Sequence, residues 1–142
     1  MAMPHPIDRA EAQRAATLAP DVAHQAFRIL QIAFVLAPIV AGVDKFFHFL
    51  VNWDQYLAPT IASLLPVAPH TFMQAVGVIE IVAGLVVATA PYYGGYLVTL
   101  WLWGIIANLL MIPGYYDIAL RDFGLSLGAV ALARLSRRYH TR

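Results

Sequence analysis

TFMQAVGVIEIVAGLVVATA, residues 71–90, carries one charged side chain, Glu80, in an otherwise apolar run. A helix that crosses a bilayer needs about 20 mostly apolar residues, which is the length of this segment. With about 3.6 residues per turn, Met73, Gly77, Glu80 and Gly84 fall on one face of the helix. Small residues around a carboxylate indicate that a neighbouring helix packs closely against this face.

Three further segments are also predicted to span a membrane. They are residues 26–50, 92–112 and 117–135. Pro91 predicts a tight hairpin turn before the segment that starts at residue 92. Residues 51–69 contain three prolines and a short helical pattern, which favours a segment lying in the membrane interface. The predicted fold is therefore all-α, an integral membrane four-helix bundle with a short interfacial segment between helices 1 and 2.

The composition supports this class. The chain is 61% hydrophobic and 12% charged, whereas a soluble domain has about 25% charged residues. A chain of 142 residues is too short to bury so much apolar surface in water. The net charge of +1 lacks the basic excess expected of nucleic-acid binding. The absence of cysteine excludes disulfides, Fe–S clusters and thiolate chemistry.

The distribution of basic residues predicts the orientation. Seven of the nine lysines and arginines lie before the first span or in its first turn, or in the last turn of the last span or after it, and only Lys45 and Arg121 lie towards the other side. Because basic residues favour the cytoplasmic side, we expect a multi-pass protein of the cell's inner (plasma) membrane with both termini cytoplasmic. Residues 1–25 are predicted as a polar cytoplasmic extension, with a short surface helix over 7–18, residues 26–136 as the transmembrane domain, and residues 137–142 as a basic tail.

Polar side chains from several spans are predicted to lie at similar depth, in the outer half of the bundle. They are Asp44, Lys45, Glu80, Asn108, Asp117, Arg121 and Asp122. One charge at the bilayer centre costs about 2.5–3.5 kcal/mol on insertion scales, so these groups are expected to face one another. The lysine stem is long enough to reach Glu80, and Asp117 and Arg121 are four residues apart and can pair. Two interpretations stay open: an ion-pair network that fixes helix register, or a site for a small molecule or for protons.

Two short motifs carry a family resemblance. GVDKF, residues 42–46, resembles the glycine-to-lysine element of DoxX-like membrane proteins, and GVIEIVAGL, residues 77–85, resembles that family's second-helix pattern. The resemblance covers roughly residues 28–135. It implies a small four-helix membrane subunit linked to redox chemistry, since some relatives belong to quinone-reducing sulfur-oxidising enzymes and others to oxidative-stress complexes. It also implies that Lys45 and Glu80 are important. The cofactor it implies is a quinone, and no covalently bound cofactor is expected.

Glycines and histidines permit further predictions. The glycines predicted at helix contacts are Gly77, Gly84, Gly104, Gly124 and Gly128. For the Gly124–Gly128 pair, a contact inside the chain and a contact with another subunit are both open. His48 and His70 lie near helix ends and are predicted as interface histidines rather than haem or metal ligands. No spacing typical of a nucleophile–base pair, a phosphate loop or a zinc site is present.

Three functions are compatible with these features. The first is a DoxX-like subunit that supports quinone-linked electron transfer in a larger oxidoreductase complex. The second is a non-catalytic accessory subunit of a respiratory or photosynthetic assembly. The third, a small transporter, rests on Glu80 alone and lacks the inverted repeat typical of transporters. The expected partners are the lipid bilayer and other membrane subunits, and no nucleic acid.

Overall fold

The computed structural model describes residues 6–140, and this part of the chain is helical with no strand. The elements are α1 (Pro6–Phe47), a 3-10 helix (Trp53–Tyr56), α2 (Pro59–Ala62), α3 (Pro69–Thr89), α4 (Pro91–Leu110) and α5 (Tyr116–Tyr139). The predicted all-helical class is confirmed. Of the four predicted spans, those on α1, α3 and α4 belong to helices long and apolar enough to cross a membrane.

The first helix is much longer than the predicted span. It runs without interruption for 42 residues, through both Pro20 and Pro38. The predicted extension and its surface helix over 7–18 are therefore continuous with the first span, apart from residues 1–5, which lie outside the described residues. Pro6 suits the first helical turn because its missing N–H has no intrahelical partner there. Asp8, in the same turn, complements the helix dipole.

The four long helices form two closely packed pairs. The first helix lies along α3, and α4 lies along α5. The core between them consists of buried apolar side chains, namely Phe27, Phe34, Ala83, Val87, Val98, Ala129 and Leu132. We call the end of the bundle that carries residues 48–68 the linker end, and the opposite end, where Ala90 joins α3 to α4, the hairpin end.

Glycines bring α1 and α3 into close contact. A methyl group on Gly77 would lie 2.6 Å from the carbonyl oxygen of Gly42, and one on Gly84 would lie 2.6 Å from the Ile39 side chain. Any larger residue at Gly77 would force the two backbones apart, because the nearest atom belongs to the main chain. The charged residues on these two helices are therefore held within reach of each other.

The other predicted packing glycines behave differently from one another. Gly128 faces the Phe34 ring, and a methyl group on this glycine would lie 3.3 Å from two of the ring carbons. Apart from the adjoining residues and backbone of its own helix, no described atom lies within 4 Å of such a methyl group on Gly104 or Gly124. The packing predicted at these two glycines thus finds no partner within residues 6–140. For Gly124, contact with another subunit stays a prediction.

The outward faces of the helices are strongly apolar. On α1 the exposed side chains include Ile29 at 67%, Ile32 at 55% and Leu36 at 55%. Large apolar residues are similarly exposed on α3 and α4. Soluble monomers rarely expose apolar patches of this extent. These surfaces are suited to contact with a lipid bilayer.

Candidate functional site

A buried ion pair joins α1 to α3. The Lys45 Nζ lies 2.6 Å from Glu80 Oε2, and the two side chains are only 2% and 8% exposed. Glu80 lies near the middle of the 21-residue α3, and Lys45 in the last turn of α1. The predicted contact between these residues is present, and each charge shields the other from an apolar surrounding.

Trp53 covers this pair from the linker side. The Lys45 ammonium lies 3.9 Å from the centroid of the indole ring, a cation–π contact. The indole Nε1 donates a hydrogen bond to Asp44 Oδ2 at 2.8 Å. Sequence reasoning did not assign Trp53 to the site, because its position depends on how the linker folds back over α1.

Asp44 anchors the linker rather than pairing with a cation. Its carboxylate accepts backbone hydrogen bonds from Phe49 at 2.8 Å and from Leu50 at 3.1 Å, in addition to the bond from Trp53. These donors follow the end of α1, where the chain reverses direction at His48, which has a φ of +56°. Asp44 therefore determines where the Trp53 ring lies relative to Lys45.

Asn108 also holds the linker, from α4. Its amide group donates a hydrogen bond to the Tyr56 carbonyl oxygen and accepts one from the Ala58 N–H at 2.9 Å. The Asn108 amide thus supplies hydrogen-bond partners to two backbone groups of the linker. Its hydrogen bonds go to the linker backbone, although the sequence grouped it with the charged residues.

The three predicted residues on α5 lie in two different environments. Asp117 and Arg121 form an exposed pair at 3.2 Å, with side chains 61% and 74% exposed. Asp122 is half-buried. The structure therefore brings together Lys45 and Glu80, joins Asp44 to them through Trp53, and leaves Asp117 and Arg121 on the surface.

A polar group missed by sequence reasoning lies at the hairpin end. The buried Gln31 side chain donates to the carbonyl oxygens of Val87 and Ala88, at 3.4 and 3.3 Å, and accepts a bond from Arg28. These residues border an open groove of about 300 Å³. A second groove, of about 500 Å³, lies between Tyr92, Tyr93 and His140, also at the hairpin end. Neither groove reaches the Lys45–Glu80 pair.

These features define a class: an all-helical protein with three helices able to cross a membrane and a buried ion pair between two of them. Comparison with family models, with curated proteins and with solved structures found no match. The resemblance of residues 42–46 and 77–85 to DoxX-like proteins therefore stays a prediction from the sequence.

Proposed function

We propose that this chain is a four-span subunit of the cell's inner membrane that supports quinone-linked electron transfer in a larger oxidoreductase complex. The observation that carries the proposal is the Lys45–Glu80 pair, buried between α1 and α3 and covered by Trp53. Buried charge pairs are expensive to desolvate and are weak evidence for stability alone. Ionisable groups within membrane helices are functional by default.

The proposal includes α5 as a fourth span. Its 24 residues reach about 36 Å at 1.5 Å per residue, enough for a hydrocarbon core of about 30 Å. Its exposed side chains include Leu120, Phe123, Leu125 and Leu127. Asp117 and Arg121 then lie near one interface and Arg137 and Arg138 near the other. The excess of arginines at the hairpin end supports the proposal that this end and both termini are cytoplasmic.

The chemistry of the pair suits a quinone headgroup. The Lys45 ammonium can donate a hydrogen bond to a quinone carbonyl oxygen, and Glu80 can accept or supply the proton that accompanies reduction. The glycine contact at Gly77 keeps both groups in register across the two helices. Because the sequence has no cysteine, thiolate-bound electron carriers would have to belong to a partner subunit.

The test is quinone-dependent turnover of the parent complex, isolated through this chain. Lys45→Met and Glu80→Gln should each abolish turnover while the complex still assembles. Arg121→Met is the matched control, since it removes a basic residue from an exposed pair, and should leave turnover intact. Normal turnover in both site variants would remove the proposal.

A second candidate is a non-catalytic accessory subunit. It is favoured by the mutual satisfaction of Lys45 and Glu80 and by the position of both grooves at the opposite end of the bundle. Its apolar faces would then bind other subunits. Native mass spectrometry of the gently solubilised protein separates the two: retained partners with normal turnover in Lys45→Met favour the accessory role, and a retained quinone lost in that variant favours the first.

A further inference from the structure

Three side chains from separate parts of the chain converge at the linker end. His48 follows the last residue of α1, Asp54 lies in the 3-10 helix, and His70 is the second residue of α3. One potential ligand atom from each lies within 4.8 Å of the other two. We propose that these residues form a binding site for a first-row divalent transition metal such as Zn²⁺, a site separate from the Lys45–Glu80 pair and independent of the proposed function.

The distances suit such an ion. With metal–ligand bonds of about 2.0–2.2 Å in tetrahedral geometry, neighbouring ligand atoms lie about 3.3–3.5 Å apart. His70 Nδ1 and Asp54 Oδ2 are 3.2 Å apart, close to that spacing. The His48 and His70 rings are stacked with centroids 5.2 Å apart. All three ligand atoms lie within 4.8 Å of one another, so binding requires them to approach by at most about 1.5 Å.

Asp54 provides an independent sign of a missing ligand. Its Oδ1 is buried and accepts no hydrogen bond from any described residue, although the carboxylate as a whole is 29% exposed. A buried polar atom without a partner costs about 1–3 kcal/mol, so most such atoms are paired. A cation at this position would satisfy it. Two imidazoles and one carboxylate are a common ligand set for zinc and non-haem iron, with open positions left for water.

The backbone at His48 points to the same site. Its φ of +56° lies in the left-handed region, which residues other than glycine adopt uncommonly, although histidine does so more often than most. Strained residues of this kind persist where surrounding contacts enforce them and are concentrated at functional sites. Here the hydrogen bonds from Phe49 and Leu50 to Asp44 fix the turn. The turn directs the His48 ring towards His70.

The charge around the site favours a dication. The Asp44 carboxylate accepts a hydrogen bond from Trp53, the residue before Asp54, and the charge of Lys45 is already paired with Glu80. Asp54, the next residue after Trp53, adds a third negative charge. The side chain of His70 is 48% exposed, which gives an ion access from water.

The test is a Zn²⁺ titration of the full chain in detergent. The protein is purified through a tag that contains no histidine, and bound metal is first removed with a chelator. One Zn²⁺ should bind per chain, and Co²⁺ in its place should give the intense visible absorption of a low-coordinate site. His48→Asn keeps a residue that tolerates positive φ, and His70→Gln keeps the helix. Each should weaken Zn²⁺ binding at least 100-fold, and Asp54→Asn at least tenfold.

His24→Gln and His140→Gln are the matched controls, since both histidines are exposed and lie on α1 and after α5, away from the linker end. Both should bind Zn²⁺ as the unmodified chain does, and Zn²⁺ should raise the melting temperature of these proteins but not of the ligand variants. The proposal is overturned if the unmodified chain binds Zn²⁺ no more tightly than His48→Asn, if a control loses as much affinity, or if Asp54→Asn binds normally.

Discussion

Replacing Gly77 by alanine should destabilise the protein, whereas the same change at Gly104 should not. Both glycines lie inside long helices, so the gain in helix propensity of up to about 1 kcal/mol is common to both variants and cancels in the comparison. The added methyl group meets the Gly42 carbonyl oxygen at 2.6 Å in the first case, and in the second it meets no described atom within 4 Å beyond the adjoining part of its own helix. The difference between the variants therefore measures the packing of α1 on α3.

The size of this difference in stability follows from how far the two helices must move apart to accommodate the methyl group. A methyl carbon in ordinary contact with a carbonyl oxygen lies at least 3.4 Å from it, so the two helices must separate by roughly 1 Å near Gly77. Overpacking costs about 1–3 kcal/mol, and the upper part of that range applies because a main-chain atom cannot rotate away. Gly77→Ala should thus be less stable than Gly104→Ala by about 2–3 kcal/mol, or roughly 5–10 °C in melting temperature.

The assay is thermal unfolding of the purified variants in one detergent, followed by helical circular dichroism. Gly42→Ala is a second test, because its methyl group would meet the Gly77 carbonyl oxygen at 2.5 Å. It should resemble Gly77→Ala. If Gly77→Ala melts at the same temperature as Gly104→Ala, the close approach of α1 and α3 is wrong, and with it the geometry that places Lys45 beside Glu80.

Three further predictions concern the polar contacts. Lys45→Met alone should lower the free energy of unfolding by about 3–5 kcal/mol, because it leaves Glu80 buried without its partner. Adding Glu80→Leu should recover much of this loss. If unfolding experiments on this double-mutant cycle show additive losses, the two charges do not interact. Asp44→Asn should shift the tryptophan fluorescence, since the neutral side chain holds Trp53 and the linker less firmly, and a spectrum identical to that of the unmodified chain would contradict the contact. Asn108→Ala should lower the free energy of unfolding by about 1–3 kcal/mol, because it leaves linker backbone groups unpaired. It should also speed amide hydrogen exchange at Ala58, and unchanged exchange there would count against the hydrogen bond.

Much of the fold was accessible from sequence because length and hydropathy determine where a helix can cross a bilayer. The contact between Lys45 and Glu80 was predictable for a related reason, since a buried charge must find an opposite charge. The 42-residue α1 was not predicted as one helix, because a polar, alanine-rich segment before a span reads equally well as a separate surface helix.

The remainder of the site depends on tertiary contacts that no local pattern encodes. Trp53 and Asn108 reach their partners through the path of the linker, which is fixed by single hydrogen bonds from distant helices. The exposure of Asp117 and Arg121 depends on how α5 is rotated about its own axis. Charge spacing along one helix predicts that these residues pair, and leaves open which way the pair faces.

The length of α1 has a mechanical consequence. At 1.5 Å per residue its 42 residues measure about 63 Å, twice the thickness of the hydrocarbon core of a bilayer. About half of this length exceeds what one crossing of a bilayer requires, and it is continuous with the part of α1 that carries Lys45 and ends at Phe47. A label attached near Asp8 would therefore report the position of the same helix that holds the buried ammonium.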